Sequence, residues 1–139
     1  KVLFGTNQNE LIEAAGGLKE GCEKVISGGP MMGFAMYTTD TPITKTSSSI
    51  LCMSKDEVSA CEPTACINCG RCVDACPSRI IPSRLADFAE RHDEEAFLKF
   101  NGLECVECGS CSYVCPAKRQ LKQAIGSMRK TALANKKKK

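Results

Sequence analysis

Eight cysteines carry the chemistry this chain can do. Cys66, Cys69, Cys72 and Cys76 are followed by Pro77, and Cys105, Cys108, Cys111 and Cys115 by Pro116. Each set reads C-x2-C-x2-C-x3-C-P, and the second repeats the first at an offset of 39 residues. Gly70 maps onto Gly109, and Ile67 onto Val106. Thiolates at such short spacing are soft ligands for iron or zinc. Structural zinc usually takes two separated C-x2-C pairs. The third cysteine, the proline and the duplication favour a cluster over a single ion.

The spacing is that of the bacterial dicluster ferredoxin run, in which the fourth cysteine ligates the other cluster. Three thiolates on one tight loop take three corners of a 4Fe-4S cube, and the fourth arrives from the other loop. The expected sets are therefore crossed. Cluster A takes Cys66, Cys69, Cys72 and Cys115; cluster B takes Cys105, Cys108, Cys111 and Cys76. Gly70 and Gly109 let the backbone turn close to sulfide, and Pro77 and Pro116 redirect the chain. Ile67, Ala75, Val106 and Val114 are placed to screen the clusters from water. Arg71, Lys118 and Arg119 near cluster A, against Glu104 and Glu107 near cluster B, would give cluster A the higher potential.

Three cysteines remain of the eleven. Cys61-x4-Cys66-x2-Cys69 mimics a plant-type two-iron spacing. Its repeat position is Phe100, so Cys61 is left outside both sets. Cys22 and Cys52 lie in apolar stretches and read as small core side chains. His92, the only histidine, reads as a solvated residue on a charged helix. Close metal-type spacings, rather than a disulfide network, point to a reducing, cytosolic compartment.

The elements that position these residues are short. Val2–Phe4 reads as a strand end, and a helix capped by Asn7 with Glu10 at the capping-box position ends at Gly16-Gly17. Lys24–Ile26, Pro42–Lys45 and Ser49–Met53 read as strands. Gly28–Gly33, Gly-Gly-Pro-Met-Met-Gly, reads as a turn in which methionines fill a gap. Between the motifs, a helix starts at Pro82-Ser83, with Leu85, Phe88 and Ala89 on one face. A second piece opens at Asp93-Glu94, packs Phe97 and Phe100, and stops at Gly102. Leu121, Ile125, Met128 and Ala132 make one face of an amphipathic helix, and Lys136–Lys139 read as a disordered tail. The fold class is thus α+β. A small mixed lobe spans 1–58, a mainly helical dicluster ferredoxin-like domain 59–117, and a basic amphipathic helix and tail 118–139.

Residues 118–139 hold nine Lys or Arg and no acid, against ten bases and sixteen acids in residues 1–117. An acidic body without interleaved aromatics argues against nucleic acid, and the basic tail suits peripheral contact with a membrane surface. No P-loop and no strand-linked G-x-G-x-x-G is present, so no nicotinamide or flavin site is expected in this chain and no catalytic residue is assigned. The opening Lys1-Val2-Leu3, without a Met, reads as a segment of a longer protein.

Val25–Gly33, with its Gly-Gly-Pro-Met-Met-Gly element, followed by Cys66–Pro77 and Glu107–Pro116, closely resembles the RnfC family. These are peripheral subunits of the Rnf ion-translocating electron transport complex. The resemblance implies that residues 1–58 form a soluble-ligand-binding β-grasp (SLBB) lobe. It implies FMN and NADH sites on an upstream domain, membrane subunits and a ferredoxin-like protein as partners, and a place on the cytoplasmic side of the membrane. The chain would then be a relay in a ferredoxin:NAD oxidoreductase coupled to sodium or proton transport, and not an enzyme by itself. Relay segments of cobalamin-reducing enzymes, or of dehydrogenase or heterodisulfide reductase subunits, share the cysteine motifs.

Overall fold

In the computed structural model, which describes residues 1–138, the chain divides into two compact units. The first spans Lys1–Ala60 and the second begins at Cys61. The first unit holds helix α1 (Gln8–Ala14) and a three-stranded antiparallel sheet of β1 (Lys24–Ser27), β2 (Phe34–Met36) and β3 (Ile50–Met53), ordered β2-β1-β3. Its central strand β1 buries Val25, Ile26 and Ser27. Register pairs Val25 with both Met36 and Cys52. Asn7 caps α1 by accepting from the Asn9 amide. Past its end, the Gly17 amide donates to the Ile12 carbonyl at 2.8 Å, and Gly16 and Gly17 have φ of 104° and 79°, a left-handed stop.

Three local expectations change here. Val2–Phe4 forms no strand, and Pro42–Lys45 contributes only one bridge, Asn7 to Pro42. Around that bridge, Gly5 and Gln8 donate to Ile43 and Thr41, so Pro42, which has no amide to give, sits where none is needed. The Gly-Gly-Pro-Met-Met-Gly turn is real, but Met31 and Met32 are 52% and 62% exposed and fill no gap. Its glycines are there for space and conformation. Gly28 has φ 103°, and a Cβ on Gly33 would stand 2.5 Å from the Gly29 carbonyl and 2.6 Å from Ile26 Cγ2.

The second unit is helical: α2 (Arg71–Asp74), α3 (Pro82–Glu90), α4 (Glu94–Lys99), a 3-10 turn at Gly102–Glu104, α5 (Ser110–Tyr113) and α6 (Leu121–Lys138). Pro82 opens α3 at a position where a missing amide costs nothing. Asp93 caps α4 through the Ala96 amide at 3.0 Å. The core is Ile80, Leu85, Ala86, Ala89, Phe97, Cys111, Leu121, Ile125 and Met128. The face read from the sequence on α6 is buried throughout: Leu121, Ile125, Met128 and Ala132 are at most 6% exposed.

The helix runs through Lys138, so Lys136–Lys138, read as a disordered tail, continue α6, while Lys139 lies outside the described residues. His92 is exposed but sits in the turn between α3 and α4 with φ 57°, not on a helix. Helix α4 ends before Gly102, and that glycine serves another purpose. A Cβ there would stand 2.5 Å from Cδ1 and Cζ of the fully buried Phe97 ring. Phe100 is 40% exposed and leans on Phe88, ring centroids 5.1 Å apart.

Candidate cluster sites

The sequence repeat is also a repeat of backbone conformation. Gly70 and Gly109 have φ of 79° and 85°, and each opens a one-turn helix, α2 or α5. Asn68 and Glu107 are left-handed at 53° and 54°, as are Arg79 and Lys118 at 52° and 54°. All three pairs are separated by the same 39 residues as the cysteines. Hydrogen bonds repeat with them. Val73 donates to Gly70 and Cys76 to Val73, as Ser112 donates to Gly109 and Cys115 to Ser112. The amides of Arg79 and Lys118 close the turn after each Cys-Pro on the carbonyls of Cys76 and Cys115. L-residues seldom take this conformation, so its recurrence at matched places marks two copies of one ligand loop.

Two cavities lie beside these loops. Cys76, Cys105, Cys108 and Cys111 line the first, which is partly open to solvent. Cys66, Cys69, Cys72 and Cys115 line the second. In each, three cysteines come from one repeat and the fourth from the other. Among the described residues no three His, Cys, Asp or Glu side chains converge as a single ion requires. Four thiols line each space, the arrangement that a cluster bound by one thiolate per iron would take. Four-thiol cavities of this kind fit an iron–sulfur cluster.

The two sites differ in cover. Cys66 and Cys69 are exposed, whereas Cys111 is buried and its three companions are half-buried. Burial pushes the Cys111 thiol up to about 11, and burial likewise raises Cys105. The Ser110 hydroxyl, 3.5 Å away, holds Cys108 down. Ligation requires the thiolate, so a filled site reverses these burial effects. Ile67 and Val106 line the cavities yet are 66% and 54% exposed. They form outer lips and screen less than expected; Ala75 and Val114 are half-buried.

Two of the five charges behind the expected order of potentials, Arg119 and Glu107, are paired. Arg119 lines the cavity of Cys66 and Cys115, but its Nη2 donates to Asp87 and Glu90 at 2.9 Å. Burial pulls the Arg119 guanidinium down, and its bonds to Asp87 and Glu90 overcome that and raise it. Glu107 accepts from Arg129 at 3.2 Å. Neither residue acts as the lone charge that the sequence suggested. Arg119 also ties the segment after Cys115 to α3, and the Ser112 hydroxyl accepts from the Lys122 amide at the start of α6. Neither tie is visible in the motif.

Of the other cysteines, Cys61 is exposed and lines neither cavity. Cys22 is half-buried. Cys52 is exposed on the outer strand β3, not in the core.

Residues 65–119 match the family model of the 4Fe-4S dicluster domain. The fold and the paired loops thus belong to an iron–sulfur protein of the electron-transfer class. The chain is 50% identical over 125 residues to the C-subunit of the proton-translocating ferredoxin:NAD(+) oxidoreductase complex of Clostridium ljungdahlii, covering 89% of this chain and 27% of that protein. It is 40% identical over 138 residues to the C-subunit of the Na(+)-translocating complex of Acetobacterium woodii, covering 99% and 31%. To the C-subunit of an ion-translocating oxidoreductase complex of Methanosarcina acetivorans it is 46% identical over 124 residues, covering 89% and 28%. The chain is thus similar over most of its length to C-subunits of ion-translocating oxidoreductase complexes, and spans about 30% of the length of these relatives.

Proposed function

We propose that this chain is the two-cluster electron relay of an RnfC protein. The observation that carries the reading is the pair of four-cysteine cavities, each drawing its fourth thiol from the other repeat. Cys66, Cys69, Cys72 and Cys115 hold cluster A, and Cys105, Cys108, Cys111 and Cys76 hold cluster B. Each 4Fe-4S cluster, when bound, supplies one-electron chemistry. The chain's own residues hold the cluster thiolates, turn the backbone at Gly70 and Gly109, and exclude water with the core of α3 and α6. Crossed ligation joins the two repeats, so metal loss should unfold this unit.

The wider assignments rest on the family. Residues 1–58 form the SLBB-like lobe, 59–117 the dicluster domain and 118–139 the basic C-terminal segment that contains α6. FMN and NADH bind on a domain outside this chain, so the chain alone oxidises no NADH. In the complex it passes electrons between membrane subunits and a ferredoxin-like partner, coupled to ion transport. The relatives named above differ in their ion, proton in one and Na(+) in another, and similarity to both selects neither. No helix among the described residues is long and apolar enough to cross a membrane. Peripheral attachment on the cytoplasmic side, through the basic C-terminal tail, fits the family.

The test is metal and electron counting on anaerobically prepared protein. The reading requires about eight irons and eight sulfides per chain. It requires stoichiometric reduction by dithionite and no NADH oxidation without flavin. Zinc in place of iron and sulfide would end it.

A further inference from the structure

The two ligand loops share a backbone but not a side chain at one strained position. The left-handed residue between the first and second cysteines is Asn68 in one loop and Glu107 in the other. Asparagine accepts this conformation readily, whereas glutamate does not. Glu107 is held from outside its loop, by α6. Arg129 Nη1 donates to Glu107 Oε1 at 3.2 Å, and Arg129 Nε donates to the Leu103 carbonyl at 3.1 Å. The two side chains are only 31% and 22% exposed. Gly126, buried one turn earlier on α6, leaves room for the carboxylate, since a Cβ there would stand 3.2 Å from Glu107 Oε2.

Leu103 and Glu107 lie two residues before and two after Cys105, so Arg129 brackets that cysteine. The Glu107 amide in turn donates to Cys105 Sγ at 3.4 Å. Charge beside a cluster and hydrogen bonds to its sulfurs both set its reduction potential. An electron added beside an unpaired carboxylate is opposed, and an N–H aimed at the ligand sulfur favours it.

We infer that Arg129 is a positioning residue for the site of Cys76, Cys105, Cys108 and Cys111. It neutralises Glu107 and fixes the amide that bonds Cys105, and so keeps the potential of this one site raised. The C-terminal helix is then part of the redox site and not only its cover. The inference rests on that four-cysteine ligand set.

Its test is a potentiometric titration of the full chain, anaerobically reconstituted, with the two reduced clusters followed by EPR. Arg129→Met should lower one of the two midpoints and leave the other within titration error. Arg129→Lys, which keeps charge but loses the two-pronged grip, should fall between. Adding Glu107→Asn to Arg129→Met removes the carboxylate and restores an αL-tolerant residue, so the midpoint should return towards wild type. Glu107→Gln alone, which leaves Arg129 unpaired, should raise the same midpoint; it serves if Arg129→Met loads poorly. Unmoved midpoints in fully loaded Arg129→Met and Glu107→Gln would reduce Arg129 to a structural clip and overturn the inference. Equal shifts of both midpoints would overturn it too. Failure of the ligand set itself would appear earlier and separately, as a wild-type chain without two clusters.

Discussion

Replacing Gly102 with alanine should weaken the second unit through one identifiable clash. The added Cβ would stand 2.5 Å from two carbons of the Phe97 ring and closer still to Cε1. Phe97 is fully buried in one core with Leu85, Leu121 and Ile125, so moving its ring means displacing packed neighbours. Gly102 is not in the left-handed region, and the cost is therefore steric alone. Overpacking of this kind costs about 1–3 kcal/mol. For about 1–2 kcal/mol the unfolded fraction rises roughly 5- to 30-fold. The assay is anaerobic denaturation, followed in parallel by cluster absorbance and far-UV circular dichroism. Phe97→Leu/Gly102→Ala provides the internal control. The smaller side chain relieves the clash, so the pair should show a coupling of about 0.5–3 kcal/mol. A Gly102→Ala variant within about 0.5 kcal/mol of wild type, or strict additivity in the pair, would refute the steric account.

Four further outcomes follow from particular residues. Gly33→Ala forces a Cβ against the Gly29 carbonyl and Ile26, and should destabilise the first unit by about 1–3 kcal/mol. Exposed Met31→Ala should stay within about 0.5 kcal/mol, both by thermal melts. Gly70 is left-handed with open space around its Cα, so Gly70→Asn should keep more cluster iron than Gly70→Val, whose branched side chain resists that conformation. The hydrogen bond from Lys24, 2.9 Å away, chiefly holds the Asp56 carboxyl below its ordinary 3.8. Its folded value lies below its unfolded one, so the pair stabilises fully above the unfolded value and loses this as pH falls through the folded one. The stability gap between wild type and Asp56→Asn should therefore close in acid, and a gap independent of pH would contradict the pairing.

The cysteines, the glycines at their loops and the buried face of α6 were legible because each follows from a short spacing or a helical period. The left-handed pairs at Asn68 and Glu107, and at Arg79 and Lys118, were not, since of the four only Asn68 is a residue type that favours this conformation. Long-range ion pairs were equally hidden. Arg119 reaches back 29 and 32 residues to Glu90 and Asp87, and Arg129 reaches 22 to Glu107. Two of the five charges counted along the chain, Arg119 and Glu107, are therefore offset by partners that the chain order does not reveal. Gly102 looked like a helix stop because glycine often is one, yet its role is set by Phe97, five residues earlier. Val2–Phe4 and Pro42–Lys45 had strand composition without the partner strands that make a sheet.

Crossed ligation is tested most directly by Mössbauer and EPR spectra of Cys76→Ala and Cys115→Ala beside wild type. Cys76 lies in the first motif, yet its loss should disrupt the cluster held by Cys105, Cys108 and Cys111 and leave the other spectrally intact. Cys115→Ala should do the reverse. If each replacement instead disturbs the cluster of its own motif, the two cavities do not hold the clusters proposed for them.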